Sequence, residues 1–169
     1  MSFENAKHNL KEFGKELGLE GLEFDENNTC ILGIDDAFSL HLTYEPNSKR
    51  LYMYSPLLDG LPKDDKVRLR LYEKLLEGSM LGGQMAGGGV GVAVNEELIL
   101  IHCTLDMEHA VSSALRAFAP LYVETVEKWR KICAEIAEGR AESTKKEGAA
   151  PAPMAHGGGG KPGQGFIKI

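Results

Sequence analysis

The sequence predicts an α+β fold, an antiparallel five-stranded sheet with three helices in the order α-β-β-β-α-β-β-α, assembled as a homodimer. Three observations carry this expectation. Runs of alternating apolar and polar residues are joined by turns too short for crossovers, which makes neighbouring strands antiparallel. Apolar residues at three- and four-residue spacing mark a helix before, between and after those runs. The middle helix carries more apolar surface than one chain has partners to cover.

The first helix is read from Phe3, Ala6, Leu10, Phe13 and Leu17, with Ser2 as its N-cap and Gly18 as its stop. A short apolar alternation at Leu22 and Phe24 ends in the turn Asn27-Asn28. Three strands follow: Thr29 to Ile34, bounded by Asp35-Asp36; Phe38 to Tyr44; and Arg50 to Leu57 after the turn Glu45-Pro46-Asn47-Ser48. Pro62 and Asp64-Asp65 open the second helix. A glycine-rich run from Gly82 to Gly91 reads as a flexible connector, leading to a hairpin of Val90 to Val94 and Leu98 to Leu105 across Asn95-Glu96-Glu97. Asp106 is expected to cap the last helix, whose apolar positions include Val111, Leu115, Phe118, Tyr122, Trp129, Ile132 and Ile136. Pro120 lies inside it, so a kink or a break is expected near residues 116–120.

On the second helix, Val67, Leu71 and Leu75 form one stripe at about 100° per residue, and Leu69, Tyr72, Leu76 and Met80 form another beside it. One apolar stripe a little over 100° wide is enough to cover a sheet. The second stripe therefore needs a partner, either another internal helix or the same helix of a second copy in a C2 contact. With only three helical patterns in the chain, the second copy is favoured. Leu69, Tyr72, Leu76 and Met80, with Val90, Val92 and Val94 of the neighbouring strand, are the candidate dimer interface.

The chain has 169 residues and a formal net charge of −6. Residues 1–140 form the expected domain, and residues 141–169, rich in Gly, Pro and Ala, form a tail expected to be disordered. The body holds 15 of the 19 Lys and Arg and 23 of the 25 Asp and Glu, a net −8, against +2 for the tail. An acidic body without a basic, aromatic-interleaved stripe argues against nucleic acid. There is no 18-residue apolar stretch for membrane insertion, and the first residues read as an amphipathic helix rather than a secretory signal. Cys30, Cys103 and Cys133, set among Ile and Leu, read as buried free thiols of a cytosolic protein.

Chemistry-bearing patterns are weak. Lys161 follows Gly160, but Ala155 and Pro162 break a Walker loop, and the Gly82 to Gly91 run follows a helix rather than a strand. The five histidines have no metal-ligand spacing; His41 and His102 are placed to share a sheet face. Adjacent Asp35 and Asp36 read as turn formers rather than an acid–base pair, and neither Cys30 nor Cys103 has an activating neighbour in sequence. No catalytic, cofactor-binding or metal residue is assigned, and the protein is not expected to be an enzyme.

Four segments in order carry a family likeness. They are Phe13-Gly14-Lys15-Glu16-Leu17-Gly18-Leu19 before the Thr29 strand, Leu58-Asp59-Gly60-Leu61-Pro62 ahead of the second helix, Leu75-Leu76-Glu77-Gly78-Ser79 at its end, and the aromatic Trp129 in the last helix. Over residues 2–140 the chain resembles class I type III secretion chaperones of the Tir-chaperone family. The resemblance implies a homodimer of the bacterial cytoplasm that binds the N-terminal segment of secreted effector proteins. Such a protein keeps that segment extended, hands it to components of the secretion apparatus and so serves virulence, without cofactor or catalysis. The glycine run at 82–91 and the tail depart from the family pattern. Independently of the likeness, an exposed strand edge can take up an extended peptide by β-augmentation, and an apolar groove beside the first helix can receive its side chains. The density of apolar residues makes Leu10, Phe13, Leu32, Leu40, Leu42, Tyr52 and Tyr54 the candidate effector-binding set. Alternation leaves open which strand residues line a groove and which pack under a helix. A non-catalytic scaffold dimer or a small-ligand-binding α+β domain is the rival reading.

Overall fold

The structure is a computed structural model that describes residues 1–139. The boundary at 140 and the expected disordered tail lie outside the described residues. The elements are α1 (Ser2–Glu16), β1 (Thr29–Ile34), β2 (Phe38–Glu45), β3 (Arg50–Asp59), α2 (Asp65–Ser79), β4 (Gly89–Ala93), β5 (Leu98–Asp106) and α3 (Ala114–Ala137), with one 3-10 turn at Met80–Gly82. All strand pairs are antiparallel in the order β1-β2-β3-β5-β4. The predicted five-stranded antiparallel sheet, three helices and element order are those observed.

Alternation sorts the sheet into two unlike faces. Leu40, Leu42, Leu51, Met53, Leu57, Ile99 and Ile101 point to one side and are buried. That side is covered by the helices, with α3 packed on β3 and β5 and α1 and α2 each packed on α3. Burying each of these Leu or Ile side chains contributes about 1.5–3 kcal/mol, so the alternation specifies which face lies inward. The other face carries Ser39, His41, Thr43, Tyr52 and Tyr54, all half-buried, and no described helix lies on it.

Four local expectations are corrected. Met1, not Ser2, is the N-cap of α1; the Ser2 hydroxyl instead hydrogen-bonds the Tyr44 hydroxyl at 2.8 Å. Asp106 does not cap α3, which starts at Ala114. Its carboxylate accepts from the Glu108 N–H in a turn, and Val111 is exposed ahead of the helix. The cap of α3 comes from α1: buried Asn9 accepts from the Leu115 N–H at 3.0 Å and donates to the Asn5 and Val111 carbonyls. Finally, of the kink or break expected near residues 116–120, the break is not found: α3 runs on through Pro120. Proline cannot bond the Arg116 carbonyl, but packing of Leu115, Ala119 and Tyr122 into the core holds the turn together.

The glycine run is no loose connector. Trp129, fully buried on α3, donates its indole N–H to the Gln84 carbonyl at 2.7 Å, and Met85 is buried in the core. Gly82 and Gly88 pack against backbone: a Cβ on Gly82 would lie 2.7 Å from the Gly87 carbonyl carbon, and one on Gly88 would lie 1.8 Å from the His102 carbonyl oxygen. These contacts seat β4 on β5 and fix the end of α2.

Gly78 tests this clamp. In an open helix Gly→Ala is favourable by about 1 kcal/mol. A Cβ here would meet the Trp129 ring at 2.2 Å, so Gly78→Ala should instead destabilise by about 1–3 kcal/mol in urea unfolding. A gain in stability would show that the indole does not hold α2 in this way.

Candidate functional site

Among the described residues, the cysteines, the sheet histidines and the paired aspartates take the following places. Cys30, Cys103 and Cys133 are free and buried; burial pushes the Cys103 thiol up to about 12 and the Cys133 thiol to about 11, and raises Cys30 as well. A thiol held protonated is a poor nucleophile. His41 and His102 do share the open sheet face, on either side of Tyr54. His41 stacks on the Tyr54 ring at 4.8 Å, its Nε2 lies 2.8 Å from the Ser39 hydroxyl, and burial lowers its pKa. It is a sheet-face histidine with its partners supplied. Asp35 and Asp36 both adopt positive φ in the β1–β2 turn. Among the described residues no cluster of His, Cys, Asp and Glu could hold a metal ion.

Three of the surfaces among the described residues have features that could receive a partner. The first is a groove of about 550 Å³ between α1 and residues 19–24. One wall is the α1 flank of Phe3, Lys7, Lys11 and Lys15, spaced by four residues and so stacked on one line. Leu10, Leu22 and Phe24 are apolar and Glu20 and Glu23 acidic in the rest of the lining. The Phe3 ring packs on Phe24 and Tyr44, with centroids 6.0 and 4.9 Å apart, and Lys7 Nζ lies 4.5 Å over it.

The second is the free edge of β1. The Tyr44 N–H bonds the Asn28 carbonyl, and hydrogen-bonded pairs alternate along an antiparallel ladder. Cys30 and Leu32 therefore turn their backbone groups toward β2, and Thr29, Ile31 and Gly33 turn theirs outward. Asp25 takes up both outward groups of Thr29. Ile31 and Gly33 keep open backbone donors and acceptors, and the Ile31 side chain is 59% exposed. An edge of this kind templates an added strand.

The third is the α2–β4 face. Val67 is half-buried, and Leu71 and Leu75 are buried against the chain's own core, whereas Leu69, Leu76 and Met80 are 59%, 67% and 71% exposed. Leu81, held at φ 55 in the turn after α2, stands out beside them. Val92 and Val94 are exposed as well, with Val94 just past the end of β4; Tyr72 and Val90 are only partly buried. No described helix covers this stripe.

The candidate effector set divides along the same lines. Leu32, Leu40 and Leu42 lie in the core, as do Leu10 and Phe13, of which only Leu10 also reaches the groove. Tyr52 and Tyr54 stand on the open sheet face, away from the groove. The lysine line on α1, the outward groups of Ile31 and Gly33, and Leu81 were not singled out from sequence. The four-residue spacing of Phe3, Lys7, Lys11 and Lys15 was a legible signal for the first of these.

The sequence model of the Tir chaperone protein (CesT) family matches residues 8–130. No curated protein matches the chain. Among solved structures, the HopA1-SchA chaperone-effector complex contains a similar chain: TM-score 0.59, 23% identity, covering 75% of this chain and 94% of that one. The ExsC-ExsE complex gives TM-score 0.64 and 15% identity, with 77% and 94% covered. The Yersinia pestis type III secretion chaperone SycH, in complex with a stable fragment of YscM2, gives 0.55 and 17%, with 73% and 98% covered. At these identities the likeness is one of fold.

The raised thiols predict a pH and reagent response. Stability from holding them protonated is fully present below the unfolded-chain value of about 8.5 and is lost as pH rises toward 12. Melting temperature should therefore fall above about pH 9, and Ellman's reagent at pH 8 should label the native protein slowly and the unfolded chain at all three cysteines. Fast native labelling would contradict the burial.

Proposed function

Because the chain belongs to the Tir chaperone protein (CesT) family, we infer that it is a non-catalytic type III secretion chaperone of the bacterial cytoplasm. It binds the N-terminal segment of secreted effector proteins in extended form and presents it to the secretion apparatus. The observation that carries this reading is the pairing of an open strand edge at Ile31 and Gly33 with an apolar groove beside α1. Phe24 on the groove directly precedes Asp25, which bonds Thr29 at the start of β1. An extended segment on this side of the fold gains backbone hydrogen bonds from the edge and apolar contact from the groove. The effector-binding set is thereby redrawn toward Phe3, Leu10, Leu22, Phe24 and Ile31. No described helix is long and apolar enough to cross a membrane, which agrees with a chaperone that meets its cargo before export.

The working unit in this reading is a homodimer. Leu69, Leu76, Met80 and Leu81 form an exposed apolar patch continuous with Val92 and Val94, and a monomer leaving it open would be prone to aggregate. A second copy related by a two-fold axis covers it with the same residues. Residues 141–169 are proposed to be dispensable for folding.

Two measurements test the two halves. Leu76→Glu should give monomer or aggregate by light scattering, and a wild-type monomer at micromolar concentration would remove the dimer from the account. Ile31→Pro deletes one outward donor at a sheet edge, where proline is tolerated. It should reduce the effector copurified from the native host several-fold with little change in melting temperature, and undiminished recovery would show that cargo does not use this edge.

A further inference from the structure

We propose that Lys11 selects cargo by charge: the segment seated in the α1 groove alternates apolar residues, pointing into it, with acidic residues that pair with the lysines of α1. The inference rests on the chaperone reading of the groove and adds to it a sequence class for the occupant. The body as a whole carries excess acid, so a basic line along one wall of the α1 groove is a local reversal of charge. Lys7 and Lys15 already contact Glu4 and Glu12 at 3.0 and 2.6 Å, in exposed pairs of the kind worth little and easily exchanged. Lys11 makes no ion pair among the described residues.

Spacing makes the match specific to an extended chain. Residues four apart on a helix rise about 6.0 Å, and residues two apart on a strand rise about 6.6–6.8 Å. Every second residue of a strand lying along α1 therefore falls beside Lys7, Lys11 or Lys15 in turn, and the small mismatch over two steps is within the play of a lysine side chain. The intervening residues then face Leu10 and Leu22. Glu20 and Glu23, also in the lining, repel acids from their own side, so the acidic row is held toward α1 and the strand has a preferred face.

The test uses the full chain and three fluorescein-labelled peptides, each alternating Leu or Val with Glu, Gln or Lys over eight residues, read by fluorescence anisotropy. The Glu peptide should bind on the order of tenfold more tightly than the Lys peptide at low salt, with Gln between, and the gap should close in high salt. Lys11→Glu, at an exposed helix position, should reverse the order of the Glu and Lys peptides while leaving the melting temperature unchanged. Equal binding of all three, or an order that Lys11→Glu does not alter, overturns the proposal. So does the failure of every peptide to bind, and in that case effector copurification from the native host still decides the chaperone reading separately. Displacement of the Glu peptide by laurate with the same dependence on Lys11 would assign the groove to a small amphiphile and overturn the proposal, leaving copurification to decide the chaperone reading.

Discussion

Everything in this molecule depends on the sheet burying only one of its faces. Leu40 and Leu42 of β2, Leu51 and Met53 of β3, and Ile99 and Ile101 of β5 are fully buried on the side that the helices cover. A strand that slipped by one residue would exchange this row for His41, Thr43, Tyr52 and Tyr54. The helices in turn are positioned by a few long-range polar ties. Asn9 joins α1 to the start of α3, Tyr122 donates to the Ile101 carbonyl of β5, and Arg130 donates to the Pro56 carbonyl beside the irregularity in β3. With its helices on one side and its three long strands packed together, the fold leaves the β1 edge, the α1 groove and the outer stripe of α2 uncovered among the described residues.

What was legible in the sequence was what local periodicity dictates. The strands β1, β2 and β3 begin where alternation begins, and α2 starts at its aspartate cap, Asp64, which accepts from the Lys66 and Val67 N–H groups. The unpartnered stripe of Leu69, Leu76 and Met80 was readable because helical geometry alone separates it from Leu71 and Leu75. The start of α3 was not readable, since its cap, Asn9, lies 106 residues away from Leu115 and no local motif announces it. The glycine run was misread for a related reason. Gln84, Gly88 and Met85 are held by Trp129, His102 and the core, and composition carries no record of such contacts. Likewise alternation separates Leu42 from Thr43 without stating which of them the helices will cover. Most of the candidate effector set proved to be core because apolar density marks burial before it marks binding.

A strand edge with two residues of open backbone and a groove with an apolar lining are liabilities for a protein acting alone. They become an advantage when the partner is a segment that must stay extended, because the partner's own backbone groups need somewhere to bond. Holding a chain open requires only edges, grooves and a rigid support. Trp129 and Asn9 supply that support from the buried side of the sheet.

The central claim is that cargo is held as an added strand on β1. Amide hydrogen exchange, followed residue by residue in the free protein and in the complex isolated with its cargo, tests it most directly. The account predicts that Ile31 and Gly33 exchange freely alone and become protected in the complex, while Cys30 and Leu32, already bonded to β2, change little. If Ile31 and Gly33 exchange equally fast with cargo bound, the effector is held elsewhere and the edge is not the site.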